Sequence, residues 1–157
     1  MAKRYLNYQD IDAMLNTMHR QMALAGYKPD VVVGLVRGGL IPAVHVSHYF
    51  DVPLVAFKYS LRDHPGSDPI AKLIEVLRNG QNVLIVDDLC DEGHTLHEIH
   101  EAIKAKLPFA PMISMDQIKT AVLQHNLGAT LFSPDYCGEE INKIENPEWI
   151  VYPWEYQ

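Results

Sequence analysis

Apolar residues recur along this chain at two periods. Ile11, Met14, Leu15, Met18 and Met22 return every three or four positions, so residues 8–25 are expected to form an amphipathic helix. Asp30 then opens DVVVGLV, a β-branched run of the kind that fills a buried strand. After RGG comes LIPAVHVSHYF, a predicted helix with Pro42 in its first turn. DVPLVAF (51–57) predicts the next strand. SLRDHPGSDP (60–69), rich in Pro, Gly, Ser and charge, reads as a mobile loop. IAKLIEVLRNG fits two patterns: Ile70, Leu73, Ile74 and Leu77 suit a helix, which is the preferred reading, whereas IEVL alone suits a strand. NVLIVDD predicts a strand, residues 94–106 a helix with Leu96, Ile99 and Ile103 on one face, and QIKTAVLQH (117–125) another strand. Short strands are expected near LFSPDYC and WIVYPW.

Strands alternating with helices argue for an α/β fold: a central, mostly parallel sheet flanked by helices. Its 157 residues suit one domain spanning 1–157, and a 48% hydrophobic composition supplies a core. Thirteen basic and twenty acidic residues leave a net charge of −7, which argues against nucleic-acid partners and against an anionic membrane surface. No apolar run approaches the roughly 18 residues of a spanning helix, and MAKRYLNYQD lacks the apolar segment of a signal peptide. Cys90 and Cys137 make neither a disulfide framework nor a metal set, so a reduced, cytoplasmic setting is expected.

In parallel sheets, ligands sit beyond the carboxyl ends of the strands. Both unusual loops, RGG and DDLCDEGHT, fall there. Gly93 permits backbone angles that other residues resist, and a helix beginning near His94 or Thr95 offers free amides and a favourable dipole to an anion. Thr95 adds a hydroxyl. Asp87 and Asp88 are neighbours on a strand and point to opposite faces, so they cannot do the same job. Carboxylates bind Mg²⁺ and accept hydrogen bonds from sugar hydroxyls. Arg37 can hold phosphate oxygens two at a time, and Gly38 and Gly39 let backbone amides approach an anion. A ligand with phosphate at two ends and a diol between them fits these groups.

VLIVDDLCDEGHTL resembles the motif for phosphoribosyl pyrophosphate (PRPP) in type I phosphoribosyltransferases: an apolar strand, two acidic residues, two variable ones, then Asp-Thr-Gly-x-Thr. VGLVRGGLIPA is similar to the pyrophosphate loop of the purine branch, and KTAVLQHN, PDY and EWIVYPWE resemble the C-terminal half of small xanthine-guanine and hypoxanthine phosphoribosyltransferases. The resemblance implies a small C-terminal hood over the sheet and transfer of the phosphoribosyl group to a nucleobase, of the purine type, with release of pyrophosphate. It implies that Arg37, Gly38, Gly39, Asp87, Asp88, Glu92, Gly93, His94 and Thr95 hold PRPP, the last four largely through main-chain amides. It implies that Asp87 and Asp88 also meet Mg²⁺ and that Asp91 manages the proton of the attacking base. Asn126, Trp149 and Ile150, in a tail of residues 126–157, then meet the base, and the loop at 60–69 closes over the site. It implies a homo-oligomer, dimer or tetramer.

Two positions depart from the pattern. Glu92 stands where the family has threonine; a carboxylate turned into the cradle would repel phosphate, so the side chain is expected to turn to solvent. Asn126 stands at the family lysine that bonds the purine 6-oxo group, and an amide can donate or accept. These departures keep a second reading open: a non-catalytic PRPP or nucleotide-binding regulator on the same fold. A histidine stripe at His94, His97 and His100 is read as surface or interface, Cys90 as a small filler residue, and Met14, Met18 and Met22 as packing.

Overall fold

The computed structural model describes residues 1–59, 69–128 and 131–156. Among the described residues, seven strands and four α-helices follow in the order β1 (Ala2–Tyr5), α1 (Tyr8–Leu24), β2 (Val31–Leu35), α2 (Leu40–Phe50), β3 (Leu54–Phe57), α3 (Pro69–Arg78), β4 (Val83–Cys90), α4 (His94–Lys104), β5 (Ile118–Asn126), β6 (Tyr136–Ile141) and β7 (Glu148–Val151). Five strands form one sheet in the order β3-β2-β4-β5-β6, and every pairing in it is parallel.

The strand period sorts side chains to two cores. On β4, Val83 and Ile85 join a cluster with Ile70, Leu73, Ile74 and Leu77 of α3 and Leu96, Ile99 and Ile103 of α4. Leu84 and Val86 point the other way, to Ile11, Met14, Leu15, Met18 and Met22 of α1 and Ala43 and Val46 of α2. Each fully buried aliphatic side chain of this kind contributes roughly 1.5–3 kcal/mol. The methionines are core, as their spacing predicts. The ambiguous IAKLIEVLRNG is helical, because its four apolar residues all reach the first core as one face of α3. α1 opens on a capping box in which Asn7 and Asp10 exchange side-chain and backbone bonds of 2.8 and 2.9 Å.

Three expectations change in detail. β4 does not end at the aspartates; it runs to Cys90, with Leu89 and Cys90 paired to Gln124 and His125. The hood is not purely C-terminal: β7 pairs in parallel with β1, so both ends of the chain build it. Of the loop expected at 60–69, residues 60–68 lie outside the described residues, and Pro69 opens α3.

β2 and β4 are neighbours, yet the chain leaves β2 toward β3 on one side and β4 toward β5 on the other. Their carboxyl ends therefore flank the crevice where parallel sheets take ligands. The hood is tied to this crevice by a chain of bonds that is buried at Tyr152 and Gln124 and partly exposed at Glu139 and Arg4. The Tyr152 hydroxyl lies 2.8 Å from Gln124 Oε1 and 3.2 Å from the Asp88 carbonyl oxygen. Gln124 donates to Glu139 at 2.6 Å, and Glu139 accepts from Arg4 of β1 at 3.0 Å.

Candidate active site

The acidic pair continues the alternation of β4. Asp87 follows Val83 and Ile85 to the α4 side, where it lines a cavity of about 250 Å³ with Leu89 and residues 90–96. Asp88 follows Leu84 and Val86 to the α2 side and lines a cavity of about 540 Å³ with Arg37, Gly38, Trp154 and Glu155. The two carboxylates thus face different cavities, as the strand period requires.

Nothing cationic pairs with them among the described residues. Asp87 Oδ1 accepts from the Asp88 amide at 2.9 Å, and Asp88 Oδ1 accepts from the Leu89 amide at 2.8 Å. Burial, and then the adjacent Asp88 charge, lifts the Asp87 carboxyl well above the ordinary carboxylate range. Asp88 is raised as well, chiefly by burial, against the pull of its bonds to Asp87 and the Leu89 amide. Such a pair favours a small divalent cation or a set of hydroxyl donors. No group of three His, Cys, Asp or Glu side chains is placed to enclose a metal among the described residues. The pair alone suits a cation that keeps most of its ligands from substrate and water.

The arginine-glycine loop reaches the pair closely. A Cβ built on Gly38 collides with the Asp88 carboxylate, and one on Gly39 falls 2.5 Å from the Val86 carbonyl oxygen and 2.7 Å from that of Leu35. Only glycine lets the loop lie against the end of β4. The Val36–Arg37 peptide in this loop is cis. Arg37 is exposed above the Asp88 cavity.

α4 begins where its sequence predicts, directly after Gly93. Gly93 caps α4 with φ 87°, a left-handed conformation, and a Cβ built on it would fall 3.0 Å from Phe132. The first-turn amides of His94, Thr95 and Leu96 have no acceptor within the helix and face the 250 Å³ cavity. Glu92 is turned outward, its side chain 77% exposed, and meets His94 Nε2 at 2.8 Å. His100 Nδ1 is bonded to the Leu96 carbonyl at 2.8 Å and its ring leans on Phe132, so the histidine stripe does not converge. Cys90 is buried, and burial lifts its thiol to about 11.

Asp91 stands in the opposite electrostatic condition. Lys143 Nζ donates to its Oδ2 at 2.9 Å, and Asn126 Nδ2 donates to its Oδ1 at 3.1 Å. Asn126 is buried, and its Oδ1 accepts from the amides of Gly128 and Lys143 at 3.2 and 3.1 Å. Trp149 is 60% exposed on the hood, while the Ile150 side chain enters the α1–α2 core. Sequence reasoning did not single out Lys143, nor the partly buried network through Gln124, Glu139 and Arg4. Lys143 lies 52 positions from Asp91 in a turn with no motif of its own.

A crevice at the strand switch point, with a helix N-terminus, an arginine-glycine loop and two half-buried carboxylates between them, is a geometry that suits a ligand carrying both anionic groups and hydroxyls. The phosphoribosyl transferase domain model matches residues 1–157, and the chain belongs to that family. Xanthine-guanine phosphoribosyltransferase of Cereibacter sphaeroides is 30% identical over 142 residues, covering 84% of this chain and 75% of the relative. A purine phosphoribosyltransferase from Pyrococcus horikoshii superposes with a TM-score of 0.71 at 32% identity, covering 100% of this chain and 97% of that one. A protein of Neisseria gonorrhoeae solved with bound ppGpp superposes at 0.73 with 26% identity, covering 99% and 90%. No helix among the described residues is long and apolar enough to cross a membrane.

Proposed function

We propose that this chain transfers the phosphoribosyl group of PRPP to a purine base, giving a nucleoside monophosphate and pyrophosphate. The observation that carries the reading is the acidic pair of β4, split between two cavities, with a helix cradle on one side and Arg37 on the other. The first-turn amides of α4 and the Thr95 hydroxyl take the 5′-phosphate. Arg37 and the amides beside Gly38 and Gly39 take pyrophosphate. Asp87 and Asp88 hold the ribose hydroxyls, and their donor set suits Mg²⁺ carried with PRPP, which when bound offsets the charge of the leaving pyrophosphate.

In the transfer, the bond from the anomeric carbon to pyrophosphate breaks and its electron pair leaves with pyrophosphate. A ring nitrogen of the base forms the new bond to that carbon. When N9 attacks, the proton on N7 is surplus, and Asp91 accepts it. The cation-like ribose forms among carboxylates fixed before the substrate arrives, which is electrostatic catalysis. The names of the relatives favour a base of the guanine, xanthine or hypoxanthine type, met by Trp149 and by the main chain at Ile150. Free thiols at Cys90 and Cys137 suit a cytoplasmic protein. A dimer or tetramer completes the proposal, with Tyr8, Val44 and Tyr49 as exposed apolar surface on α1 and α2. No comparison favours a non-catalytic regulator.

The test is incubation with PRPP, Mg²⁺ and each of guanine, xanthine, hypoxanthine, adenine and uracil, with products separated by chromatography. Nucleotide from one or more purines supports the reading. No nucleotide from any base, or nucleotide from uracil alone, refutes it.

A further inference from the structure

We infer that Lys143, from the turn between β6 and β7, is the residue that selects a 6-oxopurine over a 6-aminopurine. The inference rests on the transfer reading above and deepens it. Three observations carry it. The first is that the Lys143 ammonium is at the reacting end of the site, 2.9 Å from Asp91 Oδ2, with its side chain only 20% exposed. The second is that it is placed there by the fold. Its own amide is bonded to Asn126 Oδ1 at 3.1 Å. The turn that carries it is closed by Asn142, whose Oδ1 accepts from the amides of Ile144 and Glu145 at 3.0 and 3.3 Å. The third is that Asn126, the residue at the end of β5, is already engaged by Asp91, Gly128 and Lys143. It acts as a bracket joining three segments.

The chemistry of the purine edge does the rest. Guanine and hypoxanthine present N7 and the 6-oxo oxygen side by side, whereas adenine presents N7 beside an amino donor. A carboxylate that serves N7 therefore has its neighbouring ammonium next to the 6-substituent. Lysine has three donors and no acceptor. It bonds a 6-oxo oxygen and meets a 6-amino group donor to donor. On base binding, Lys143 exchanges part of its contact with Asp91 for the oxo group, while Asn126 keeps Asp91 in place. The cation that reads the base thus comes from the β6–β7 turn, and Asn126 is a positioning residue.

The experiment is equilibrium binding of GMP, AMP and purine riboside 5′-monophosphate, which lacks a 6-substituent, to the wild-type chain, Lys143→Met and Lys143→Arg. It does not depend on turnover. Wild type is expected to prefer GMP, and Lys143→Met to bind GMP about 10- to 100-fold more weakly, as loss of a charge-assisted bond implies. AMP and the 6-unsubstituted nucleotide should stay within about threefold, showing that the variant is folded, and Lys143→Arg should restore part of the preference. A GMP-to-AMP ratio unchanged in Lys143→Met overturns the inference and leaves phosphoribosyl transfer standing. Wild type that prefers AMP, or that does not separate GMP from the 6-unsubstituted nucleotide, overturns it without any variant. Wild type that binds none of the three refutes both readings.

Discussion

The end of β4 carries two kinds of carboxylate. Asp87 and Asp88 are half-buried with no ion-pair partner among the described residues, and both are held above the ordinary range. Asp91, one residue past the strand, has Lys143 on one oxygen and Asn126 on the other. On the proposed reading the acidic half is completed by a cation and hydroxyl donors. The Asp91 half is complete before the base arrives. On the same proposed reading the difference divides the work: one half takes up a charged substrate, and the other holds a proton acceptor in fixed orientation.

The largest effect should come from the paired half. Asp91→Asn keeps the shape but removes the proton acceptor, and kcat should fall about 10²- to 10⁴-fold in steady-state assays of nucleotide formation. Gly38→Ala should close the other half, because its Cβ collides with the Asp88 carboxylate. Overpacking of that kind predicts a loss of about 1–3 kcal/mol in urea unfolding, with PRPP binding weakened as well.

A smaller effect separates the halves by pH. An unfolded Asp87 ionises in the ordinary range and the folded one above it, so between the two values the folded state binds more protons. Stability of the metal-free protein should therefore fall as pH rises from about 4 through the raised value of Asp87. Urea unfolding across that window should show the slope in wild type and a shallower slope in Asp87→Asn; equal slopes would deny the burial of charge. The smallest effect belongs to Glu92. Because its carboxylate is already in solvent, Glu92→Thr should change the PRPP dissociation constant by less than about twofold, and marked tightening by calorimetry would place the carboxylate in the cradle.

How far the sequence could be read follows the range of each interaction. The core faces of α1 and β4, the helix start at Gly93 and the opposed aspartates follow from local period and local backbone preference and were legible. The apolar run of α3 fitted both a helix and a strand, and only the shared core face of its four residues decides for the helix. β1 was not, since four residues with one half-buried position carry no strand signal until β7 arrives from the far end of the chain. The extension of β4 past the aspartates depends on β5, which supplies partners for Leu89 and Cys90. Lys143 and the Arg4–Glu139–Gln124–Tyr152 chain are contacts between residues 15 to 135 positions apart, which no window of sequence displays.

The measurement that bears most directly on the division of the site is the PRPP dissociation constant of Asp91→Asn with Mg²⁺, taken by calorimetry beside wild type. If the acidic half takes up PRPP and Asp91 serves only the base, the constant stays within about threefold of wild type although turnover has collapsed. A constant that rises in step with the lost turnover would put Asp91 in the PRPP half and contradict the division.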